Sequence, residues 1–150
     1  MTRRVLITGA TGFVGRQVVR ALSEKGMKLR LVVREGKTST MELLTRDCDI
    51  VTSGDLFAET SQWWTEQCQG VDTLVHLAWY VEPGKYLQST KNMDCLVGSL
   101  NLARGAARAG VRRFIGVGTC FEYDLSGGVL SIDTPLNPIT PYAGAKASLY

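Results

Sequence analysis

The sequence predicts an α/β fold in which helices cover both faces of a parallel β-sheet. Short apolar runs alternate with amphipathic segments along all 150 residues. The apolar runs contain few polar positions, as strands do when both faces of their sheet are buried. A chain of this length forms one domain with a sizeable core. Because crossovers between parallel strands are right-handed, we expect a doubly wound sheet with strand order 3-2-1-4-5, which is a Rossmann-type three-layer sandwich.

Each element of this fold follows from a local pattern. An apolar run of strand length indicates a buried strand, and a longer run with helical periodicity indicates a helix. Gly110 ends the longest helical pattern, as glycine commonly does. In chain order we predict a strand at 5–7, a helix at 13–25, a strand at 29–33, an amphipathic stretch at 40–46, a strand at 50–51, a helix at 60–69, a strand at 72–77, a helix at 92–109, a strand at 114–117 and a helix from Pro141.

The last helix has a clear beginning. Thr140 and Pro141 are typical of an N-cap and of the first helical position. The helix would contain Tyr142, Lys146 and Tyr150, where the sequence stops without a capping residue. We therefore expect residues 1–150 to be part of a longer protein.

Composition and charge argue against several classes of protein. The net charge of +3 is too small for a nucleic-acid-binding surface. No apolar run approaches the ~20 residues of a membrane helix. Gly9, Gly12 and Gly15 interrupt the apolar stretch behind Arg3 and Arg4, so this stretch does not match an export signal. We expect a cytoplasmic protein that binds neither nucleic acid nor a membrane.

The cysteines do not indicate a metal site. Cys48, Cys68, Cys95 and Cys120 are spaced too widely for a metal knuckle, and His76 is the one histidine of the chain. In the absence of an export signal we expect reduced thiols. The cysteines are interpreted as small buried apolar residues, and no metal is predicted.

A glycine-rich turn between the first strand and the first helix is the strongest local signal. Gly9, Gly12 and Gly15 recur at intervals of three within residues 8–15. This spacing allows a tight turn, close approach of a pyrophosphate, and close packing of helix on strand. The start of the helix adds unpaired N–H groups that attract phosphate. The turn therefore predicts a dinucleotide cofactor.

The end of the second strand bears on which dinucleotide is bound. Arg34 lies where an NAD site usually carries an acidic residue for the ribose 2′-hydroxyl, and its cation suits the 2′-phosphate of NADP. Arg16 on the first helix could assist. Alternatively, Arg34 is a solvated charge and Glu35 binds the ribose of NAD. We favour NADP over NAD.

Three further positions follow strands at the same edge of the sheet. Asp55 follows the third strand and either accepts a hydrogen bond from the adenine or caps the next turn. Trp79 and Tyr80 follow the fourth strand and could line the nicotinamide or substrate pocket. His76, inside that strand, is more consistent with a core or strand-end residue than with a catalyst.

The last helix carries a candidate acid–base pair. Tyr142 and Lys146 are four residues apart and therefore share one helix face. A phenol with its usual pKa of ~10 is a poor base at neutrality. We expect the Lys146 ammonium to lower the pKa of Tyr142 and make it a usable proton donor and acceptor. Thr119, just past the fifth strand, could hold a substrate oxygen beside Tyr142.

With these motifs the chain resembles the extended short-chain dehydrogenase/reductase family, also called the NAD-dependent epimerase/dehydratase family. The matching segments are TGATGFVG at 8–15, GDL at 54–56, HLA at 76–78, the hydroxyl of Thr119, and YAGAK at 142–146, in family order. The resemblance implies a catalytic triad of Thr119, Tyr142 and Lys146, with Lys146 also on the nicotinamide ribose. It further implies that 1–150 is the NAD(P)-binding domain of a longer enzyme, with the substrate-binding region outside this chain. The candidate cofactor-binding residues are Gly9, Thr11, Gly12, Phe13, Val14, Gly15, Arg34, Asp55, Leu56, Leu77, Ala78, Trp79, Tyr142 and Lys146.

Departures from the family pattern limit which of the family's reactions this chain is expected to support. Sugar-nucleotide 4,6-dehydratases of the family carry Asp and Glu directly after the catalytic Thr, where this chain has Cys120 and Phe121. This difference argues against a dehydratase. Cys95 stands where many members have an Asn near the cofactor, and Glu122-Tyr123-Asp124 replaces the usual Val-Tyr-Gly. The resulting variant is loosely similar to reductases and epimerases of surface-polysaccharide pathways.

The resemblance thus predicts an NAD(P)-dependent ketoreductase or epimerase that acts on a nucleotide-activated sugar, with a homodimer formed by the helices at 92–109 and from Pro141. Two alternatives stay open. One is an NADPH-dependent reductase of a non-sugar carbonyl, such as a flavonoid or steroid. The other is a non-catalytic protein that senses the dinucleotide.

Overall fold

The computed structural model describes residues 3–37 and 48–149. The predicted amphipathic stretch at 40–46 and Tyr150 lie outside these residues. The elements are β1 (Arg4–Thr8), α1 (Phe13–Glu24), β2 (Lys28–Arg34), β3 (Cys48–Ser53), α2 (Ser61–Gln67), β4 (Thr73–His76), α3 (Lys91–Arg108), β5 (Arg113–Gly116) and α4 (Pro141–Leu149), with short 3₁₀ helices at Tyr86–Gln88 and Cys120–Glu122.

The five strands form one parallel sheet in the predicted order β3-β2-β1-β4-β5. β1 lies at the centre, with β2 on one side and β4 on the other. Its last residue, Thr8, pairs with Val32 of β2 and with His76 of β4. The order reverses at β1, so the residues that follow β1 and β4 border the crevice in which such folds bind ligands. The predicted Rossmann-type architecture is confirmed.

The core lies on both faces of β1, because side chains alternate along a strand. Val5 and Ile7 are buried on one face together with Val19 of α1. Leu6 is buried on the other face with Trp64 of α2 and Leu102 of α3. Helices therefore cover the central strands from both sides, which is why these strands are almost entirely apolar.

β5 is less covered than the central strands in the described part of the chain. Its apolar residues Phe114 and Ile115 are 37% and 47% exposed. β5 is the edge strand and pairs with β4 on one side. In the described part of the chain, α3 and α2 cover the central strands and leave this edge open, so its apolar sequence does not reflect burial here.

Two glycines let α3 pack closely against the segments beside it. A Cβ at Gly98 would lie 2.5 Å from the backbone of Phe57. A Cβ at Gly105 would overlap the Cβ of Trp64. This close packing fixes the loop that carries Phe57, whose ring contacts Trp79 edge-on at 6.2 Å.

Within the described residues, no helix has the length and apolar character needed to cross a bilayer.

Candidate active site

The glycine-rich turn packs tightly against the loop that follows β4. Gly9 has a φ of +71°, and a Cβ there would lie 2.7 Å from the backbone nitrogen of Ala78. A Cβ at Gly15 would overlap the carbonyl oxygen of Gly9. Gly9 therefore makes the tight turn, and Gly15 lets α1 approach the strand. Leu77 joins the same contact, since its N–H donates to the Thr8 carbonyl at 3.2 Å.

The N-terminus of α1 is open for an anion. The N-cap residue is Gly12, which has no side chain that could cap the helix, and the first turn contains no acidic residue. The first N–H groups of a helix have no partner within the helix and carry partial positive charge. Phe13 and Val14 beside them are 81% and 53% exposed, and Thr11 is partly exposed. These features fit the pyrophosphate of a dinucleotide, because backbone donors and open space occur together.

A cavity of about 560 Å³ continues from the ends of β2 and β3 toward β4. Arg34, Asp55 and Trp79 line it. One oxygen of Asp55 accepts a hydrogen bond from the Phe57 N–H at 3.0 Å, so Asp55 caps its turn while it also faces the cavity. Leu56, by contrast, packs against the hydrophobic core. Arg34 and Asp55, which were expected near the ribose and the adenine of a dinucleotide, therefore line one cavity.

His76 is a buried strand-end residue, as the sequence indicated. It is 2% exposed, and its ring nitrogens lie 2.7 Å from Thr8 Oγ1 and 2.8 Å from Ser99 Oγ. Burial lowers its pKa to about 3, with a further contribution from the charge of Lys146. His76 is therefore neutral at physiological pH and ties β1 and β4 to α3.

Tyr142 and Thr119 meet at the carboxyl edge of the sheet. α4 begins at Pro141, with Thr140 Oγ1 accepting from the Ala143 N–H at 3.1 Å, as predicted. Tyr142 is 8% exposed, and its ring packs edge-on against that of Phe121, whose N–H donates to Thr119 Oγ1 at 3.4 Å. The ring of Tyr86 stands perpendicular to the Tyr142 ring at 4.8 Å.

Lys146 lies one turn further along α4. Its Nζ donates to the Val117 carbonyl at 2.6 Å and lies 4.2 Å from the centre of the Trp79 ring. Burial lowers the pKa of Lys146, and the negative charge of Glu122 opposes this effect. Trp79 is held in turn, because its indole N–H donates to Asn92 Oδ1 at 2.9 Å.

The expected pKa of Tyr142 requires a correction. Its pKa is raised rather than lowered, because burial outweighs the opposing effect of the Thr119 side chain. The Lys146 ammonium is held by Val117 and Trp79 and does not produce the expected shift in this structure. The phenol of Tyr142 therefore stays protonated across the neutral range.

The cysteine interpretation is correct for two residues and wrong for one. Cys68 and Cys95 are buried, and burial raises the pKa of Cys68 to about 11 and also raises that of Cys95. Cys48 is partly buried. Cys120 is exposed, because it begins the 3₁₀ helix that follows Thr119.

Two polar residues of the site were not singled out as functional candidates from the sequence. Glu122 is 3% exposed and accepts the Thr119 N–H at 2.7 Å. The Thr-x-x-Glu spacing is that of a capping box, so a signal for this contact was present in the sequence. Asn92 is fully buried and donates to the Tyr86 carbonyl at 2.6 Å. Asn92 carries no comparable motif, since two of its partners, Tyr86 and Trp79, lie further away in the sequence than Ser89.

The fold and the glycine turn define a protein of the Rossmann class. The chain belongs to the NAD-dependent epimerase/dehydratase family, whose model matches residues 5–150. A dTDP-6-deoxy-L-talose 4-dehydrogenase (NAD(+)) from Aggregatibacter actinomycetemcomitans is 28% identical over 142 residues, which are 95% of this chain and 51% of that protein. A ceramide reductase from Caulobacter vibrioides is 33% identical over 112 residues, or 74% of this chain and 33% of that protein.

Solved structures show the same architecture. The UDP-Glc/GlcNAc 4-epimerase of Campylobacter jejuni superposes with a TM-score of 0.84 at 24% identity, over 98% of this chain and 46% of that one. This likeness concerns the fold. MoeE5, solved with UDP-glucose and NAD, has a TM-score of 0.76 at 25% identity, over 97% of this chain and 46% of that one. The chain thus spans about half the length of these relatives, or less.

Proposed function

We propose that this chain is the NAD(P)-binding domain of a longer enzyme that reduces or epimerises a nucleotide-activated sugar at a ring carbon. The observation that carries the proposal is the convergence of Thr119, Tyr142 and Lys146. The Tyr142 ring packs edge-on against that of Phe121, whose N–H donates to Thr119 Oγ1, and Lys146 lies one turn further along α4. The three side chains lie at the carboxyl edge of the sheet. The glycine turn that fits a pyrophosphate lies at the same edge.

The roles of the side chains follow from this geometry. A bound dinucleotide would supply the hydride acceptor or donor. Tyr142 Oη would pass a proton to or from the reacting oxygen of the sugar, and Thr119 Oγ1 would hold that oxygen beside it. Lys146 would hold the nicotinamide ribose and place a positive charge near the phenol.

The protonation state of Tyr142 suits reduction. Its raised pKa keeps a proton on Oη at neutral pH, which is the form that protonates a developing alkoxide. In the oxidative direction the phenol must first lose this proton. A positive charge from Lys146 and from an oxidised nicotinamide would assist that step.

The cofactor we propose is NADP in preference to NAD. Arg34 is exposed and lines the same cavity as Asp55, where its guanidinium is available to a 2′-phosphate. Names of relatives favour NAD, since the talose dehydrogenase is described as NAD(+)-dependent and MoeE5 was solved with NAD. The preference therefore depends on Arg34 alone.

The nucleotide-sugar substrate is supported by the names of several relatives. A dTDP-sugar dehydrogenase is among the related sequences, and a structure of MoeE5 contains UDP-glucose. A dTDP-glucose 4,6-dehydratase from Streptomyces griseus is 31% identical over 99% of this chain and 48% of that protein. Cys120 and Phe121 nevertheless disfavour dehydration as the reaction of this chain. We place the enzyme in the cytoplasm.

The proposed homodimer would use the outer face of α3 together with α4. Met93, Val97 and Leu100 are 48%, 58% and 40% exposed. Their spacing places them on one face of α3. An apolar stripe of this kind is suited to packing against a second helix pair.

The test uses the full-length protein, purified without added cofactor. We expect NADPH-dependent reduction of a keto-sugar nucleotide or epimerisation of a sugar nucleotide. Tyr142→Phe should abolish either activity while dinucleotide binding persists, because the ring packing is kept and the hydroxyl is lost. Thr119→Ser, which keeps a hydroxyl, is the matched control and should retain most activity. A Tyr142→Phe variant with undiminished turnover contradicts the proposal.

A second candidate is reduction of a non-sugar carbonyl. The ceramide reductase from Caulobacter vibrioides and a putative dihydroflavonol 4-reductase from Synechocystis are 33% and 27% identical. The two candidate functions are distinguished by a substrate panel that contains keto-sugar nucleotides, keto lipids of the ceramide class and dihydroflavonols. A protein that binds the dinucleotide and reduces none of them would instead fit a sensor.

A further inference from the structure

Glu122 is a buried carboxylate beside the candidate catalytic residues, and the mechanism above assigns it no role. It is 3% exposed, although glutamate is almost never fully buried unless it is paired. Its Oε1 accepts the backbone N–H of Thr119 at 2.7 Å. The segment around it is also fixed, since the Asn137 N–H donates to the Glu122 carbonyl at 2.9 Å.

The contact between Glu122 and the Thr119 segment is close. A Cβ at Gly118 would lie 3.0 Å from Glu122 Oε1, so glycine at 118 makes room for the carboxylate. The Phe121 N–H donates back to Thr119 Oγ1 at 3.4 Å. Together these bonds form a capping box. The capping box fixes the backbone conformation at Thr119 and therefore the position of its hydroxyl.

The same carboxylate faces Lys146. Glu122, Gly118 and Lys146 line a cavity of about 390 Å³, whose other walls include the apolar Ile115 and Leu149. Glu122 itself is 3% exposed, and because burial lowers the local dielectric, a negative charge there acts strongly on its neighbours. The charge of Glu122 raises the pKa of Lys146 against burial and adds to the raised pKa of Tyr142.

We propose that Glu122 is a positioning residue, which fixes Thr119 through its backbone N–H and stabilises the ammonium form of Lys146. The proposal deepens the function proposed above and depends on it for the meaning of Thr119 and Lys146. The distance to Thr119 N, the burial of the carboxylate and the cavity shared with Lys146 carry it.

Other titratable groups around Lys146 and Tyr142 do not replace Glu122. Cys95 of α3 also acts on Lys146, but burial raises the pKa of this thiol, which is therefore uncharged at neutral pH. His76 of β4 is neutral because its pKa is lowered. Tyr86 and Cys120 act on Tyr142 in the same direction as Glu122. Among the described residues, Glu122 is thus the carboxylate whose charge acts on Lys146.

The direct test is a pH titration of the Lys146 side chain by NMR. The full-length protein is labelled with ¹³C-lysine, and the Lys146 signal is assigned as the one that is missing in Lys146→Arg. Glu122→Gln keeps an oxygen that accepts from Thr119 N and removes the charge. We expect the Lys146 midpoint to shift to lower pH in this variant. Glu122→Asp retains the charge and alters the bond, so it should keep the midpoint nearer that of the unmodified protein. Thermal unfolding of each variant checks that it is folded.

The pH profile of turnover is the second readout. Loss of the charge lowers the pKa of both Lys146 and Tyr142, so Glu122→Gln should move the alkaline limb of kcat/KM for reduction to lower pH. A purely structural cap predicts an unchanged midpoint and profile in Glu122→Gln, and that result overturns the proposal. If the protein shows no turnover with any substrate, the proposed function fails, whereas the NMR midpoint still decides whether Glu122 controls the charge of Lys146.

Discussion

The ammonium of Lys146 lies 4.2 Å from the centre of the Trp79 ring, and the Val117 carbonyl accepts one of its hydrogens at 2.6 Å. Trp79 follows β4, Val117 follows β5, and Lys146 lies in α4. The lysine is therefore held where two neighbouring strands and the candidate catalytic helix converge. Asn92 extends this arrangement to α3 through the indole N–H of Trp79.

Replacement of the Trp79 ring should release Lys146. A cation–π contact contributes ~0.5–2 kcal/mol, depending on how far it is desolvated. We expect Trp79→Leu to lower kcat/KM by about tenfold, as a loss of ~1.4 kcal/mol predicts. Trp79→Phe keeps an aromatic face and should lose less. Steady-state kinetics on both variants, with thermal unfolding to confirm that each is folded, tests the contact. Equal losses in the two variants would show that the ring face does not matter.

Gly15 should tolerate no side chain. A Cβ at this position would overlap the Gly9 carbonyl, so Gly15→Ala must move α1 away from the turn. We expect a loss of stability of about 1–3 kcal/mol, as for other overpacked sites, and a large loss of dinucleotide affinity. Chemical denaturation and calorimetric titration with NADPH and NADH measure the two effects.

Gly144 offers the matched control for the stability measurement. It lies inside α4, and a Cβ there meets no atom within 4 Å. Gly144→Ala should therefore stabilise the protein by roughly 0.5–1 kcal/mol through helix propensity. If both alanine variants lower stability equally, the steric explanation for Gly15 is wrong.

The sheet and the glycine turn could be predicted because their signals are local. The order of the strands follows from alternating apolar and amphipathic segments together with the handedness of crossovers. The roles of Gly9 and Gly15 follow from their spacing after β1, and the structure shows the close contacts that this spacing implies. The start of α4 was predicted for the same reason, since Thr140 and Pro141 are adjacent to it.

Other properties depend on contacts between distant segments. The pKa of Tyr142 has the opposite direction to the one expected, because Tyr86, Trp79 and Phe121 enclose the phenol. None of these residues is near Tyr142 in the sequence. The exposure of β5 likewise depends on what packs beside the strand, which its apolar composition does not reveal. Glu122 carries a local capping signal, but its burial beside Lys146 depends on contacts that this signal does not contain.

Acid should destabilise the protein through His76. Its pKa is about 3 in the folded state and ~6.5 in an unfolded chain. The unfolded state therefore takes up a proton below pH ~6.5 that the folded state does not bind. Stability from this residue is fully present above that pH and falls as the pH decreases toward 3, with a loss of about 2–3 kcal/mol at pH 4.5.

The measurement is urea unfolding at pH 7.5 and at pH 4.5 for the unmodified protein and for His76→Gln. Glutamine retains hydrogen-bonding groups for Thr8 and Ser99 and does not titrate. The unmodified protein should lose more stability between the two values than the variant, because carboxylate effects are common to both. An equal loss would mean that His76 does not take up the proton on unfolding.

The two possible roles of the residues at the end of β2 predict opposite cofactor preferences. Arg34 would bind the 2′-phosphate of NADP, whereas Glu35 would bind the ribose of NAD. A charge-assisted hydrogen bond to a 2′-phosphate contributes about 1.5–3 kcal/mol, so Arg34→Gln should reduce the NADPH-to-NADH affinity ratio by roughly ten- to hundredfold. If Glu35 instead binds the ribose of NAD, Glu35→Gln should weaken NADH and Arg34→Gln should leave the ratio unchanged. Arg20→Gln, on the exposed face of α1, controls for the loss of one positive charge. Calorimetric titration of the three variants with both cofactors distinguishes the two possible sites.

Mass spectrometry of the dinucleotide that the purified full-length protein releases provides an independent check. If the protein carries one molecule of NAD(H) per subunit, the proposed role of Arg34 is contradicted.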